Sequence, residues 1–245
     1  MERQEFELNI FKARDVKTPE KFGNAAGWDF YIPNDLTISD FIGNVNLYVN
    51  EFITSPFPTT MNKYLIPLEF TVDIDGTDII YMIKVIKDDN GELQPEVFKK
   101  EINAFDSFLN NFSIEENELK KIVSATIKNI CIMPFTKILM PSGIHVRLPE
   151  EVFLVAENKS GIASKRGLIK GAQVIDSDYQ GQIHINLINP MNTCCNIKPG
   201  EKIVQFVPYF QPKMTKVNEF ESKESLYTES ESVRGEGGFG SSGIN

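Results

Sequence analysis

The amino-acid sequence predicts an all-β fold, a sandwich or barrel of short strands, interrupted by a segment with both helical and strand patterns. In residues 131–156, short apolar stretches are separated by Pro134, Pro141 and Pro149, a spacing typical of strands in a small sandwich or barrel. One of them, GIHVRL, alternates strictly between apolar and polar side chains. A further apolar stretch, EKIVQFVPYF, follows Gly200 and is predicted to be the last strand of the folded body.

The first part of the chain predicts two more strands. Residues 5–11 alternate well enough for a strand that pairs at a sheet edge, and Pro19 and Gly23 then interrupt the pattern. In the run AAGWDFYIP, Gly27 permits a tight backbone path, and Asp29 should face the side opposite to its aromatic neighbours. By itself, an aspartate here is best interpreted as a turn or sheet-edge residue.

Residues 36–130 have a different pattern, which predicts an α+β insertion packed on or beside the barrel. The runs LEFTVDI and TDIIYMIKVIK predict two strands joined at Asp75-Gly76. Pro95 is predicted to begin a helix, and Ser113 with Glu116 offers a capping box for the segment that follows, although VSATIKNICIM fits a strand equally well. The apolar residues on one face of the predicted helix are Phe98, Ile102, Phe105, Leu109 and Phe112.

Charge and composition exclude several classes of protein. The net charge is −9, and residues 36–130 contribute −7 of it, with 15 acidic and 8 basic side chains. An acidic surface argues against non-specific nucleic-acid binding. No apolar run approaches the ~20 residues of a membrane span. The amino terminus has no apolar signal region, so we expect a cytoplasmic protein, in the host cytosol if the source is viral.

The three cysteines suit neither a disulfide framework nor a zinc site. They are Cys131 and the adjacent pair Cys194 and Cys195. We therefore predict reduced, structural thiols.

Residues 157–189 hold the densest set of candidate site residues. A small polar loop, Asn158–Gly161, is followed by a predicted β-hairpin whose returning strand opens with Val174 in the run VIDSDYQG. The hairpin would hold a carboxylate, a tyrosine and flexible glycines at one strand end. Asp176 there can orient a water and accept its proton. The other interpretation is that Asp176 and Asp178 only form a turn.

Five runs of this sequence resemble, in order, the five motifs of the trimeric deoxyuridine triphosphatases (dUTPases). The resemblance covers residues 1–35 and roughly 131–245, and it implies a jelly-roll β-barrel, a homotrimer with shared active sites, and hydrolysis of dUTP to dUMP and diphosphate. A large insertion suits a viral member of the family. The five runs are AGWD (26–29), NKSG (158–161), the run around VIDSDYQG (174–181), PGEKIVQ (199–205) and RGEGGFGSSG (234–243).

The resemblance assigns roles to individual residues. Asp176 would be the catalytic base and would contact the sugar 3′-hydroxyl, and Tyr179 would pack against the deoxyribose where a 2′-hydroxyl would sit. Asp29 would hold water ligands of a Mg²⁺ ion that the substrate phosphates mainly bind. The residues implied to bind substrate are Lys159, Ser160, Gly161, Gly171, Ala172, Gln173, Val174, Ile175, Tyr179, Gly181, Gln205, Arg234, Phe239, Gly240 and Ser241.

Within this set, the tip from Gly171 to Val174 would recognise uracil through backbone groups, because uracil's two carbonyls and one N–H differ from the pattern of cytosine. Ser160 and Gly161 would bind phosphate oxygens. Arg234 would contact the γ-phosphate, and Phe239 would stack on the base as part of a lid.

The sequence departs from the family at three positions of these motifs. Gln173 stands where glycine is usual, so its side chain points outward or base selection is altered. Lys159 replaces an arginine, which exchanges a bidentate fork for a point charge. Asn158 replaces a proline.

The sequence therefore predicts a dUTPase that limits uracil incorporation into DNA and supplies dUMP. Its predicted parts are the barrel, residues 1–35 and 131–210, the α+β insertion, residues 36–130, and a C-terminal arm, residues 211–245, that carries the glycine-rich motif. Two alternatives stay open. One is an enzyme of the same fold acting on deoxycytidine nucleotides, and the other is a nucleotide-switched regulatory protein that binds a partner through the insertion.

Overall fold

Strands dominate the fold. The structure, a computed structural model, describes residues 6–42, 65–87, 90, 93–99, 116–212 and 216–227. The first five strands are β1 (Asn9–Lys12), β2 (Trp28–Tyr31), β3 (Leu65–Ile74), β4 (Thr77–Lys87) and β5 (Leu93–Lys99). The next five are β6 (Ile127–Ile132), β7 (Lys137–Pro141), β8 (Ile144–Arg147), β9 (Val152–Asn158) and β10 (Ile169–Lys170). The last four are β11 (Val174–Ile175), β12 (His184–Ile188), β13 (Cys195–Ile197) and β14 (Lys202–Phe210).

Helices are short and few among the described residues, so the predicted all-β class is confirmed. They are α1 (Ser39–Ile42), α2 (Glu116–Ser124), α3 (Ser160–Arg166) and α4 (Lys223–Leu226). None of these helices has the length and apolar character needed to cross a membrane.

The strands of the described residues form four antiparallel sheets. The strand orders are β1-β8, β10-β12-β7, β11-β9-β14-β2 and β13-β6-β3-β4-β5. The strand predicted over residues 5–11 is observed as β1, slightly later in the chain, and it pairs with β8. The strand predicted after Gly200 is observed as β14, which lies between β9 and β2 in the sheet that carries Asp29, Val174, Ile175 and Gln205.

One hydrophobic cluster runs through both the predicted barrel and the described part of the insertion. Phe30 and Phe206 pack with their ring centroids 4.6 Å apart, and Phe41 and Phe70 pack with theirs 5.0 Å apart. All four side chains are fully or almost fully buried in the same cluster. Burying large aromatic side chains is among the strongest contributions to a core. The described insertion residues therefore share their core with the barrel.

The sheet containing β6 joins the same two parts of the chain. β6 pairs with β13 on one side and with β3, from the insertion, on the other. The boundary predicted between residues 130 and 131 thus falls inside β6. Removal of β3 would turn β6 into an exposed strand edge, which is a template for aggregation.

The predicted β3–β4 hairpin is confirmed, with Asp75 and Gly76 at its turn. Both residues have positive φ, 53° and 83°, as the two-residue turn that matches strand twist requires. The adjacent helix prediction is wrong at its start, because Pro95 lies in β5 opposite Val85. β5 is the last strand of its sheet, the position in which a proline is tolerated in a sheet.

The rest of the predicted helix, residues 100–112, lies outside the described residues, as does Ser113 of the predicted capping box. The run VSATIKNICIM is partly helix and partly strand, the two structures that its pattern allowed. α2 ends at Ser124 and β6 begins at Ile127.

The hairpin predicted around Val174 is wrong in its pairing. β10 pairs with β12, Ile169 opposite Ile188, whereas β11 pairs with β9, Val174 opposite Val155. The segment Gly171–Gln173 therefore passes from one sheet to another. The alternation after the turn is confirmed, since Ile183, Ile185 and Leu187 are buried.

The chain divides after Gln211 into a second unit, residues 212–245, of which 212 and 216–227 are described. In this unit α4 begins at a reciprocal cap. The Ser222 hydroxyl accepts a hydrogen bond from the Ser225 N–H at 3.1 Å, and the Ser222 N–H donates to the Ser225 hydroxyl at 3.2 Å.

Candidate active site

The predicted polar loop Asn158–Gly161 is the junction of β9 and α3. Asn158 ends the strand, Lys159 is the extended residue before the helix (φ −72°, ψ 128°), and Ser160 and Gly161 form the first turn. The prediction of a loop is therefore wrong for Ser160 and Gly161. Because the first N–H groups of a helix have no partner inside it, both exposed residues offer backbone donors. A Cβ atom on Gly161 would meet nothing within 4 Å, so the space beside it is open.

Asp29 lies on β2 and is held by two lysines. Its Oδ1 atom is 2.6 Å from the Lys159 Nζ, and its Oδ2 atom is 3.5 Å from the Lys202 Nζ. The Asp29 side chain is only 14% exposed. As predicted, it faces away from Phe30, which is fully buried. The candidate metal residue and the candidate phosphate cation of the sequence analysis are thus ion-paired with each other.

Gln205 on β14 lies directly opposite Asp29 on one side and Glu157 of β9 on the other. Residues directly opposite each other on antiparallel strands share a face of the sheet. The Gln205 Nε2 donates to the Gly27 carbonyl at 3.4 Å. Gly27 itself is required by close packing, because a Cβ atom there would lie 2.2 Å from the Phe206 carbonyl oxygen.

Glu20 extends this polar face, and the sequence analysis did not identify it. It forms a bridge pair with Asp29, and its carboxylate is 2.6 Å from the Lys17 Nζ and 3.2 Å from the Lys202 Nζ. The Tyr31 hydroxyl also donates to it. Lys17, Tyr31 and Lys202 together lower the pKa of Glu20 to about 2. Tyr31 and Glu20 in turn raise the pKa of Lys202 above its usual range.

Asp176 lies in the turn that follows β11. Its backbone carbonyl accepts a hydrogen bond from the Tyr179 N–H at 3.2 Å, which closes the turn. Its side chain is exposed, and none of the ion pairs among the described residues involves it. The residue therefore has the turn geometry of the simpler interpretation and also a solvent-facing carboxylate.

Tyr179 is fixed in the same turn. Its hydroxyl donates to the Gln182 carbonyl at 2.9 Å, and its ring packs against Gly181. A Cβ atom on Gly181 would lie 2.3 Å from the Tyr179 hydroxyl oxygen. The ring is 41% exposed. Gly181 therefore makes room for the tyrosine, and the tyrosine keeps one open surface.

The segment Gly171–Gln173 is anchored at both of its ends. The Gly171 N–H donates to the Asn186 carbonyl at 2.9 Å, and the Gln173 carbonyl accepts from the Ala156 N–H at 2.7 Å. The Gly171 N–H is thus already hydrogen-bonded within the fold. Ala172 and Gln173 are exposed, as is Val174, so the Gln173 side chain points outward, one of the two alternatives left open by the sequence. Ile175 of β11 is partly buried against the core.

Both histidines contact carbonyls near this turn. His145 Nδ1 is 3.1 Å from the Gln180 carbonyl, and His184 Nδ1 is 3.0 Å from the Gln182 carbonyl. These contacts favour a structural role for both.

Four predicted site residues, Arg234, Phe239, Gly240 and Ser241, lie outside the described residues. Within the described part of the chain, no group of three or more His, Cys, Asp or Glu side chains could hold a metal ion. The three cysteines are free thiols, as predicted, with Cys131 and Cys195 buried.

Comparison with known proteins identifies the family. Residues 124–243 match the dUTPase family model. The deoxyuridine 5'-triphosphate nucleotidohydrolase of Legionella pneumophila (strain Paris) is 38% identical over 117 residues, which are 46% of this chain and 71% of the relative. The chain belongs to the dUTPase family. The resemblance identified from the five motifs is thereby confirmed, and so is the predicted jelly-roll fold of the dUTPase type.

Other similar proteins carry the same description. The deoxyuridine 5'-triphosphate nucleotidohydrolase of Oryza sativa subsp. japonica is 33% identical over 110 residues, 44% of this chain and 59% of that protein. A solved structure of the Staphylococcus bacteriophage 80alpha dUTPase G164S mutant with dUpNHpp covers 97% of this chain and 99% of its own, with a TM-score of 0.49 and 16% identity. The match to the dUTPase model includes Asp176 and the glycine-rich terminus but not Asp29.

Proposed function

We propose that this dUTPase hydrolyses dUTP to dUMP and diphosphate, with Asp176 as the general base for a water that attacks the α-phosphorus. The observation that carries the residue assignment is the Asp176 turn, in which an exposed carboxylate without an ion pair among the described residues stands three positions before a fixed tyrosine. Because this carboxylate faces solvent, it has room to contact the attacking water and accept its proton.

Sugar selection would depend on Tyr179. The hydrogen bond to Gln182 and the contact with Gly181 fix the ring, so that it cannot move away from an added hydroxyl. Deoxyribose would then be preferred over ribose for a steric reason.

Base selection would depend on the segment from Gly171 to Ile175. Because the Gly171 N–H is already bonded to Asn186, the exposed backbone groups of Ala172 are the better placed to contact uracil. A site that bonds uracil through fixed backbone groups leaves polar groups unpaired when cytosine enters, and this discriminates strongly.

Phosphate binding would use the first turn of α3 with Gln205. Ser160 supplies a hydroxyl, Ser160 and Gly161 supply backbone N–H groups, and Gln205 supplies a neutral donor. Lys159 adds positive charge beside them, but its ammonium group is shared with Asp29.

Mg²⁺ fits this set of residues only through water. Asp29 is a single carboxylate whose two oxygens already face lysine ammonium groups, so it offers an outer contact and not a cage. The substrate phosphates would hold the ion, which neutralises their charge when bound. Asp29 would orient water on that ion.

The C-terminal arm would complete the site from a neighbouring subunit of a homotrimer. Arg234 would contact the γ-phosphate, Phe239 would stack on the base, and Gly240 and Ser241 would bring backbone N–H groups onto the phosphates. A lid of this kind excludes all water but the attacking one.

The substrate assignment is tested by diphosphate release from dUTP, dCTP, dTTP and UTP, measured with the wild-type protein and with Tyr179→Ala. The wild type should prefer dUTP, and the variant should raise the use of UTP relative to dUTP by about tenfold or more, since the steric barrier is gone. Preference for dCTP would favour the deoxycytidine alternative. Nucleotide binding without release of diphosphate would favour the regulatory one. An unchanged ratio of UTP to dUTP in the variant would remove Tyr179 from sugar selection.

The shared site is tested by mixing two inactive chains. A chain ending at Val233 lacks the predicted lid, and its turnover should fall by about 10² or more. When it is reassembled with full-length Asp176→Asn, some sites contain Asp176 from the shortened chain and a complete C-terminal arm from the full-length chain. Part of the activity should therefore return. Full activity of the shortened chain alone would refute the lid. Verified mixed trimers without activity would refute the crossing between subunits.

A further inference from the structure

A polar clamp joins the segment proposed to bind phosphate to the segment proposed to recognise the base. Asn158 stands at the end of β9, directly before Lys159 and Ser160. Its Oδ1 atom accepts a hydrogen bond from the Lys170 backbone N–H at 2.7 Å. Lys170 is the residue directly before Gly171, where the proposed base-recognition segment begins.

A second contact joins the same two segments. The Lys170 Nζ is 2.8 Å from the Glu157 Oε2, and the two side chains are 19% and 39% exposed. A backbone hydrogen bond and an ion pair therefore connect two consecutive residues of β9 to one residue of β10. An ion pair of this exposure contributes little stability and holds only the side chain of Lys170, whereas the hydrogen bond to Asn158 holds its backbone.

The hydrogen bond depends on the residue type at position 158. A proline there, the common residue of the motif that NKSG resembles, has no side-chain acceptor and could not make this bond. Alanine could not make it either. Aspartate has the same shape as asparagine and keeps an oxygen at the same place. The clamp is thus a property of this sequence that a single substitution removes.

We propose that Asn158 is a positioning residue for base selection, which holds the segment after Lys170 in the register that uracil requires. The inference rests on the proposed function of the two segments. A fixed segment discriminates between bases because its polar groups cannot move to meet cytosine, whereas a loosened segment adapts to both. Asn158 therefore acts through the backbone of residues 170–174 and need not contact the nucleotide.

The test compares Asn158→Ala with Asn158→Asp. The first readout is the ratio of kcat/KM for dUTP to that for dCTP. The negative charge added by aspartate affects both triphosphates alike, so it cancels in this ratio. We expect Asn158→Ala to lower the ratio by roughly 3- to 10-fold, the effect of one lost hydrogen bond, and Asn158→Asp to keep it.

The second readout needs no nucleotide. Hydrogen exchange of the Lys170 amide should become roughly 3- to 10-fold faster in Asn158→Ala, as the loss of the same hydrogen bond predicts, and stay slow in Asn158→Asp. Lys170→Met removes the ion pair but keeps the amide bonded, so its effect on the ratio should be smaller. The controls are Asn192→Ala and Lys165→Met, two exposed residues whose side chains make no polar contact among the described residues.

The outcomes separate this inference from the proposed function. A wild-type protein that does not hydrolyse dUTP would refute the proposed function, while the exchange of the Lys170 amide would still decide whether the clamp exists. A wild-type protein that prefers dUTP, with an unchanged ratio in Asn158→Ala, would refute the role of Asn158 alone. A drop of the ratio in Asn158→Asp equal to that in Asn158→Ala would also refute it.

Discussion

The two aspartates of the candidate site have opposite surroundings. Asp176 lies in an exposed turn, and no ion pair among the described residues involves it. Asp29 lies on β2, the last strand of its sheet, is 14% exposed, and faces the ammonium groups of Lys159 and Lys202. Both residues were identified from short motifs, and nothing in those motifs distinguishes a free carboxylate from a paired one.

This difference in surroundings bears on which of the two aspartates can transfer a proton. Both oxygens of Asp29 already face lysine ammonium groups. A carboxylate that faces water, as that of Asp176 does, has room to contact the attacking water and take up its proton. On this basis we propose proton transfer for the Asp176 turn and the placement of charge for the Asp29 strand.

Asp176→Asn should have the largest effect. The amide keeps the shape of the side chain but cannot accept a proton, so kcat for dUTP should fall by about 10²–10⁴ while dUTP binding stays within about tenfold. Turnover and equilibrium binding of a non-hydrolysable dUTP analogue should be measured separately. The matched control is Asp178→Asn, two positions further along the same turn, which should leave kcat within about threefold. Turnover retained in Asp176→Asn would move the base to another residue.

Asp29→Asn should have a smaller and different effect. It leaves Lys159 without its carboxylate and weakens the hold on water around Mg²⁺, so kcat should fall by about tenfold and the Mg²⁺ concentration for half-maximal activity should rise. Lys159→Met removes the lysine of the same ion pair. It should not raise the Mg²⁺ concentration for half-maximal activity as Asp29→Asn does. If Asp29→Asn folds normally and its kcat falls as far as that of Asp176→Asn, the different roles proposed for the two aspartates would be wrong.

Local patterns in the sequence predicted local features of the fold well. The alternation around Asp29 is set by neighbouring residues, and it was predicted. For Gly27 the sequence predicted a tight backbone path, whereas the observed constraint is its close packing against Phe206 of β14. Pro95 was assigned to a helix because its position on the outermost strand of a sheet depends on pairing with Val85, which no local pattern records. The hairpin at Val174 was wrong for a similar reason, since its partner is β9 and not the strand that follows it.

The electrostatics of the site could not be predicted from the sequence. Lys159 and Asp29 are 130 positions apart, and their ion pair exists only because β14 brings β2 and β9 into one sheet. Glu20 carries no motif at all. Only the observation that it stands one short loop before AGWD, with Lys17 three positions before it, could have drawn attention to it.

Glu20→Gln should have the smallest effect and should appear mainly in the pH dependence of stability. Glu20 supports the outer side of the Asp29 strand by holding Lys202. Its pKa is lowered from 4.5 to about 2 by Lys17, Tyr31 and Lys202. A lowered pKa in the folded state means that the stabilising effect is fully present above about pH 4.5 and is lost as the pH falls toward 2.

The measurement is the urea midpoint of unfolding at pH 7, pH 4 and pH 3, at low and at high salt. The wild type should lose more stability than Glu20→Gln between pH 4 and pH 3, and high salt should reduce the difference, because the side chains of Glu20 and Lys17 are 45% and 55% exposed and their attraction is screened. Glu150→Gln, an exposed glutamate without an ion pair in the described part of the chain, should follow the wild type. Identical pH profiles for the wild type and Glu20→Gln would show that this ion-pair network does not support the Asp29 strand in solution.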